Sequence, residues 1–275
     1  MGFLGYELPV RFRAVLQYRQ LAVVDQTPAN DRAGNFDFVL SFKPSKAVST
    51  FVTLGVLQKG WAEQDETGAF FKDMSLGVSY TTGLSLDGLG VGLYEKQQAT
   101  LGANVRLWLP TSRASDKQTL YLAPELRLVA EAPVLPNWIS IGLEFRTSYR
   151  FHQLAERAGP EGGMNTRFTM QAIPYLDAEV LKLGKYGTIN VELDVWWVWA
   201  LLYPSRDGYV ADASSQSAWR QNYGWDLGIA YHPKPWAKVT VSLEHGGSVL
   251  RDGIVNTFFT HRDETELAAT LDLLF

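Results

Sequence analysis

The sequence has no cysteine, only four histidines among 275 residues, and no long uninterrupted apolar run. The lack of cysteine excludes a disulfide framework, a thiolate metal site and a cysteine nucleophile. A transmembrane helix needs about 20 consecutive apolar residues, whereas the longest candidate here, Ile189 to Tyr203, is interrupted by Asn190, Glu192 and Asp194. A helical membrane protein is therefore excluded as well.

The chain also lacks a strong excess of charge of either sign. Its 25 Lys and Arg residues nearly balance its 29 Asp and Glu residues, which leaves a formal net charge of −4. Nucleic-acid-binding domains are usually basic, so we expect no nucleic-acid partner. A disordered chain would carry few aromatic residues and a large net charge, but 13% of this chain is aromatic. The remaining classes are a soluble globular protein and a membrane protein with dispersed apolar residues.

Apolar and polar residues alternate along much of the sequence, which is the period of a β-strand. The clearest segment runs from Ser140 to His152, where the odd positions are mostly apolar and the even positions are charged, small or polar. The same pattern recurs in eleven further segments: Phe12–Tyr18, Phe36–Phe42, Val52–Val56, Met74–Tyr80, Leu101–Leu109, Leu120–Leu128, Phe168–Ala172, Ile189–Trp199, Trp225–Tyr231, Val239–Leu243 and Leu267–Phe275. The sequence therefore predicts about twelve strands.

Several of these segments reach ten residues, whereas strands of soluble proteins typically have about 5–6. Alternating segments of about ten residues, separated by turns, are typical of a transmembrane β-barrel. We therefore predict an all-β fold: a transmembrane, antiparallel, up-and-down β-barrel of about twelve strands, closed by its first and last strands. Residues 1–275 are expected to form one domain. A soluble β-sandwich or a lipocalin-like barrel is the alternative.

The predicted connections alternate between short and long, as they do in membrane barrels. The short ones are Pro44–Ala47, Ala132–Pro136, Leu181–Lys185 and His232–Pro235; the long ones are Asp25–Ala33, Gly60–Gly68, Pro110–Lys117, Gln153–Asn165, Leu202–Ser217 and Gly246–Asn256. The Thr81–Gln98 connection should be short but is long. Either the next strand begins early, near Leu89, or a small insertion folds into the lumen. A second hairpin here would give fourteen strands.

The C-terminal segment, Leu267–Phe275, places Leu271, Leu273 and Phe275 at alternate positions. This ending resembles the C-terminal strand signal of Gram-negative outer-membrane proteins of the porin-like superfamily, and it assigns no specific family. The resemblance implies location in the bacterial outer membrane, contact with lipid and lipopolysaccharide, and recognition by the barrel-assembly machinery. Because Met1–Gly5 lacks the basic and apolar regions of a signal peptide, we expect this sequence to represent a mature chain.

Charged side chains are costly against lipid, so we expect them to point into the barrel. The alternation then predicts three inward groups. They are a basic closure strand, Arg11, Arg13 and Arg19; a basic sector, Arg106, Arg127, Arg146, Arg150 and Arg167; and an acidic sector, Asp177, Glu179, Glu192, Asp194, Asp226, Glu244, Glu266 and Asp272. These groups could brace the wall through Arg–carboxylate pairs, or create a transverse field that sieves solutes.

The leading functional hypothesis is a channel for passive diffusion of small polar or charged solutes. The alternatives are a non-conducting barrel, acting as a scaffold in an envelope complex or as a surface-binding protein, and an outer-membrane hydrolase. Ser242 and Glu244 share one face of a strand while His245 points the other way, which disfavours a catalytic triad, and we expect the histidines to be surface-exposed. Without a phosphate-binding or metalloprotease motif, we expect no enzymatic activity, cofactor or metal.

Overall fold

The computed structural model describes residues 2–3, 6–7, 10–21, 33–59, 68–85, 98–112, 115, 118–135, 138–155, 164–203, 219–248, 250–251, 254–255 and 265–275. Twelve long strands dominate this part of the chain: β1 Val10–Leu21, β2 Ala33–Phe42, β3 Val48–Lys59, β4 Met74–Ser85, β5 Gln98–Leu109, β6 Leu120–Leu135, β7 Ile139–Tyr149, β8 Thr166–Lys182, β9 Thr188–Leu202, β10 Trp219–Lys234, β11 Ala237–Ser248 and β12 Thr265–Leu274. Each of the twelve predicted segments overlaps one of these strands. Within the described ranges, no helix has the length and apolarity needed to cross a membrane.

The strands form a closed ring. Each pairs antiparallel with the next along the chain, and β12 pairs with β1, placing Asp272 opposite Val15. Phe275 extends this pairing, since its N–H donates to the carbonyl of Phe12 at 2.7 Å and its own carbonyl accepts from the Phe12 N–H at 2.9 Å. Closure leaves no unpaired strand edge, which a sheet needs if it is to lie in lipid. The predicted closed, twelve-stranded antiparallel barrel is confirmed.

Short strands flank the ring. Gly68–Phe71 pairs with β3, and Phe151–His152 pairs with β6. Two separate two-residue pairs join Gly2–Phe3 to Tyr6–Glu7 and Leu250–Arg251 to Ile254–Val255. The connection that could have held a further hairpin is only partly described, because residues 86–97 lie outside the described ranges. On either side of it, β4 and β5 remain paired as far as Ser85 and Gln98.

The alternation stays in phase around the whole ring. Opposite residues of an antiparallel pair share a face, so the register places one parity of every strand on the same side of the wall. The outer side carries large exposed apolar residues, among them Leu40, Leu54, Val105, Ile141 and Ile229. A continuous apolar outer surface of this kind is the one that a membrane barrel presents to lipid.

Aromatic rings line one end of the outer face. Phe38 stacks on Phe12, Phe12 on Phe275, and Phe275 on Trp236, with ring centroids 6.1, 6.3 and 6.3 Å apart. Aromatic residues concentrate where a barrel crosses the membrane–water interface. The row therefore marks one interface, at the seam where the first and last strands meet.

The short connections all lie at this same end, which we call the short-turn end; the opposite end is the long-loop end. The β6–β7 and β10–β11 turns are shorter than the sequence predicts, because β6 continues to Leu135 and β10 to Lys234, and the β8–β9 turn begins two residues later than predicted, after Lys182. The predicted turn boundaries are wrong where Pro133 and Pro233 were assigned to turns. Both prolines lie inside strands, beside register shifts, where a residue without an N–H is tolerated. Most of the long-loop residues fall outside the described ranges.

Candidate functional site: the inner wall of the barrel

The inner wall is recognisable from contacts between strands that are not neighbours. Lys238 of β11 reaches across β10 to Glu192 of β9, with its Nζ 2.6 Å from a carboxylate oxygen. Gly228 lies opposite Glu192 in the register. Side chains of second-neighbour strands can meet in this way only on the concave side of a curved sheet, where they converge. This face carries the sequence-predicted charged positions of β9–β11.

Large side chains on this face repeatedly lie across a glycine of a nearby strand. The Tyr175 ring covers Gly142, and its hydroxyl donates to Glu131 at 3.0 Å. The Trp196 ring covers both Gly224 and Gly246, since a Cβ on either glycine would overlap it. Each of these two side chains on the inner wall thus joins three consecutive strands.

Three arginines of the predicted basic sector come together on β5–β7. Arg127 and Arg146 both bind the carboxylate of Glu144, which is only 5% exposed. Arg106 stacks on two aromatic rings instead, 5.1 Å from the centroid of Phe51 and 5.1 Å from that of Trp108. We call Arg106, Arg127 and Arg146 the arginine cluster.

One further carboxylate belongs beside this cluster. Glu125 lies opposite Arg106 in the register and accepts a hydrogen bond of 3.1 Å from the Trp108 indole N–H. The three arginines therefore face two carboxylates, Glu125 and Glu144. Glu131, the next inward acid of β6, accepts a hydrogen bond from Tyr175 instead.

The other two predicted basic residues lie at the long-loop end. Arg167 donates its Nε to the hydroxyl of Tyr149 at 2.8 Å, and Tyr149 belongs to the outer-facing parity of β7. A register shift between Thr166 and Phe168 explains this, because a bulge changes where neighbouring side chains point. The backbone N–H of Arg150 donates to the carbonyl of Arg167 at 2.8 Å. Both residues are thus separated from the arginine cluster.

Four acids of the predicted acidic sector lie at one level of the wall. Asp194 is opposite Asp226, Asp226 is opposite Glu244, and Glu244 is opposite Glu266, across β9 to β12. We call these four residues the acid row. Arg19 approaches one end of it, with Nη1 2.9 Å from Glu244 and 3.8 Å from Glu266.

The other end of the acid row is less neutralised. Within the described residues, neither Asp194 nor Asp226 forms an ion pair, and no group of acids or histidines has the arrangement of a metal site. Like charges at directly opposite positions of two strands repel one another. The row therefore concentrates negative charge in one sector of the ring.

The remaining predicted acids are engaged with partners. Asp177 accepts from the Asn190 amide at 2.6 Å, Glu192 binds Lys238, and Glu179 binds Lys182 at 3.0 Å. Asp272 binds Arg13 of the closure strand, with Nε 2.8 Å from Oδ1. Arg11, the closure residue nearest the short-turn end, lies opposite Ser41. Bracing pairs and less neutralised acids thus coexist on the same wall.

Sequence reasoning missed two lysines that belong to this network. Lys238 has the same parity as the inward Thr240 of its strand, so the alternation could have found it. Lys72 follows the short strand Gly68–Phe71 and reaches over Gly55 to bind Asp37, with Nζ 2.7 Å from Oδ1. Nothing in the sequence indicates this second contact, because it depends on the short strand Gly68–Phe71 pairing with β3 just before β4 begins.

The candidate catalytic residues do not meet. Ser242 and Glu244 belong to the inward parity of β11, whereas His245 belongs to the outward parity, as predicted. The expectation of a surface-exposed histidine is wrong for His245, which is 4% exposed. Its Nδ1 lies 2.9 Å from the hydroxyl of Thr265, and its ring lies 5.8 Å from that of Trp225. Close packing of these outward groups explains the burial.

Comparisons with known proteins rest on the fold. No protein-family model and no curated protein matches the sequence. The structure is similar to the crystal structure of an outer-membrane channel from Pseudomonas putida F1, with a TM-score of 0.60 and 11% identity over 97% of this chain and 95% of that one. It also resembles the NanC porin (TM-score 0.47, 9% identity, 96% and 98% covered) and the KdgM porin (0.45, 8%, 96% and 99%). The first of these likenesses confirms the predicted fold class, a closed antiparallel β-barrel.

Proposed function

We propose that the chain is an outer-membrane channel for passive diffusion of small polar or charged solutes through a charge-lined lumen. The observation that supports this proposal is the unequal distribution of charge on the inner wall. The arginine cluster lies on β5–β7, and the acid row lies on β9–β12. Opposed sectors of charge create a field across a pore, and such fields orient and select solutes.

The charged residues of the inner wall have two roles: some brace the wall through ion pairs, and others act on solutes. Glu144 holds Arg127 and Arg146 in fixed positions, so these arginines present a rigid surface. Asp194 and Asp226, by contrast, form no ion pair within the described part of the chain. Their charge is therefore available to a solute that passes between the two sectors.

Planar-bilayer recording tests this proposal. We expect a stable open level with a measurable ion preference in a salt gradient. Asp194→Asn should shift the reversal potential towards anion preference, because it removes a negative charge from the acid row while keeping the shape of the side chain. Glu179→Gln is the matched control: it also removes one carboxylate, but from a pair with Lys182 at the short-turn end, and should shift the potential less.

A second substitution gives the opposite sign. Arg106→Gln removes a positive charge that is stacked on aromatic rings, so the reversal potential should move towards cation preference. If both substitutions leave the potential unchanged in a conducting barrel, the transverse field is refuted while conduction stands. Correctly folded protein that never conducts would instead favour the non-conducting scaffold or surface-binding barrel.

We also infer that the barrel is not an enzyme, because Ser242 and His245 belong to opposite faces of β11. The apolar outer surface requires the lipid bilayer as a partner. Lipopolysaccharide, the barrel-assembly machinery and other envelope proteins stay predictions of the sequence resemblance. For the assembly signal, Leu271 and Leu273 lie on the outer face of β12, and Phe275 closes the aromatic row.

A further inference from the structure

A cavity of about 400 Å³ lies at the short-turn end, between the β8–β9 and β10–β11 turns. Lys185, Thr188, Asn190, His232 and Lys234 supply its polar lining. Gly187 sets its shape: the residue has φ +108°, and a Cβ there would overlap the carbonyl of His232. The close approach of the two turns therefore requires glycine at this position.

Two polar atoms of the lining are buried without a hydrogen-bond partner among the described residues: His232 Nε2 and Asn190 Oδ1. The orientation of the Asn190 amide is fixed, because its Nδ2 donates to Asp177 Oδ1 at 2.6 Å and an ionised carboxylate can only accept. Asn190 Oδ1 thus remains as an acceptor. His232 Nε2 can donate when it carries a proton. Buried polar groups normally have partners, so this pair points to a ligand that both accepts and donates.

The charges around the cavity specify that ligand further. Lys185 of the β8–β9 turn and Lys234 at the end of β10 both line it, and both are exposed. Two acids lie nearby: Asp177, which accepts from the Asn190 amide, and Glu179, which lies opposite Asn190 and is paired with Lys182. Two ammonium groups and an imidazole N–H suit an oxyanion, while Asn190 Oδ1 requires a hydroxyl or N–H donor.

We propose that this cavity binds a small carboxylate that also carries a hydroxyl group. The carboxylate lies among Lys185, Lys234 and His232 Nε2–H, and the hydroxyl donates to Asn190 Oδ1. The site is part of the barrel mouth at the short-turn end, and its existence does not depend on whether the barrel conducts.

Imidazole ¹⁵N NMR of the full chain in lipid nanodiscs tests the proposal directly. The chain has four histidines, so His152, His245 and His261 act as internal references for His232. Titration with tartrate should shift the His232 Nε2 signal saturably and leave the other three unchanged. Succinate has the same charge but no hydroxyl, so it should bind about three- to tenfold more weakly, the effect of one lost hydrogen bond.

Variants separate this site from general attraction to a basic surface. Lys185→Gln with Lys234→Gln should abolish the saturable shift, whereas Lys43→Gln with Lys46→Gln, which removes two lysines from the β2–β3 turn, should preserve it. Asn190→Ala should remove the preference for tartrate over succinate.

The inference is overturned by a His232 signal that does not respond, by equal shifts at all four histidines, or by unchanged binding in the Lys185 and Lys234 double variant. A folded barrel that shows no conductance but still shows the His232 shift would disprove the channel and leave this site intact. A barrel that conducts but shows no His232 shift would disprove this site and leave the channel intact.

Discussion

At Gly142, the absence of a side chain lets the Tyr175 ring lie across the neighbouring strand and reach Glu131. The same arrangement brings Phe51 over Gly77 towards Arg106. In both cases a hydrogen atom on one strand makes room for a ring from another. The inner wall therefore depends on the size of individual residues as well as on their polarity.

Gly142→Ala should destabilise the barrel by about 1–3 kcal/mol, the usual cost of forcing an extra methyl group into a packed site. Gly102→Ala is the control, because the nearest atoms to its added Cβ lie at 3.7 and 3.9 Å, an ordinary contact distance. Urea unfolding in lipid vesicles, followed by tryptophan fluorescence, measures both. Equal loss of stability in the two variants would contradict the role assigned to the Tyr175 ring.

Glu144→Gln should cost more stability than any substitution of an exposed acid. It leaves Arg127 and Arg146 without their shared carboxylate in a buried position, and we expect a loss of about 2–4 kcal/mol. Glu179→Gln breaks a pair with an exposed lysine, so its cost should be at most about 0.5 kcal/mol. The same urea assay compares them, and similar midpoints for the two variants would rule out the bracing role of Glu144.

At the scale of single residues, the sequence predicts which side of the wall a side chain occupies better than it predicts which residue that side chain binds. Alternation alone placed Arg106, Arg127 and Arg146 on one face, because the period of a strand is two. It could not reveal that Glu144 holds two of them, since this depends on the register between β6 and β7. Arg167 departs from the prediction because a bulge interrupts the alternation, and bulges leave no clear trace in a single sequence.

At the scale of the strands, the sequence predicts that each strand exists but not where it ends. All twelve segments were found from their period, but β6, β8 and β10 run beyond their predicted ends. Proline was the misleading signal: Pro133 and Pro233 indicate turns in most contexts. Here each lies beside a register shift, where the missing N–H leaves no ladder hydrogen bond broken.

Phe275→Ala should weaken closure of the barrel even in the absence of assembly proteins. The Phe275 ring joins Phe12 and Trp236 in the aromatic row, so its removal should lower stability by about 1–2 kcal/mol through lost burial and ring contacts. Refolding into pure lipid vesicles, followed by the shift in gel migration of the folded barrel, measures the effect.

Phe71→Ala provides the comparison, because Phe71 is an outer-facing ring on a short flanking strand and is 75% exposed. Its refolding should resemble that of the parent. If Phe275→Ala refolds normally in vesicles but fails to assemble in cells, the residue acts through recognition by the assembly machinery rather than through the seam itself.

At the scale of the whole molecule, closure joins the most distant parts of the sequence. Arg13 and Asp272 are 259 residues apart and form a direct ion pair. The closed ring was predictable because an open sheet edge is not tolerated in lipid. The alignment of the acid row at one height of the wall was not predictable from the sequence, because it depends on the register of each successive pair of strands.

We propose that residues 1–275 unfold as one domain, because the first strand is completed only by the last. Unfolding curves from far-UV circular dichroism and from tryptophan fluorescence should therefore coincide. The unheated protein should migrate differently from the heated protein on gels and should give a β-sheet spectrum. Two separated transitions would show that part of the ring is stable on its own.

The rings lying over glycines have a consequence for how the strands find their partners. A slip of one residue between two strands exchanges lipid-facing and lumen-facing side chains, so hydrophobicity forbids it. A slip of two residues restores every side chain to its proper face, and hydrophobicity cannot detect it. Such a slip would carry Gly142 away from Tyr175 and place a Ser140 or Glu144 side chain beneath the ring. The ring-over-glycine pairs therefore favour one register between these strands. They select one shear of the barrel from the registers that keep every side chain on its proper face.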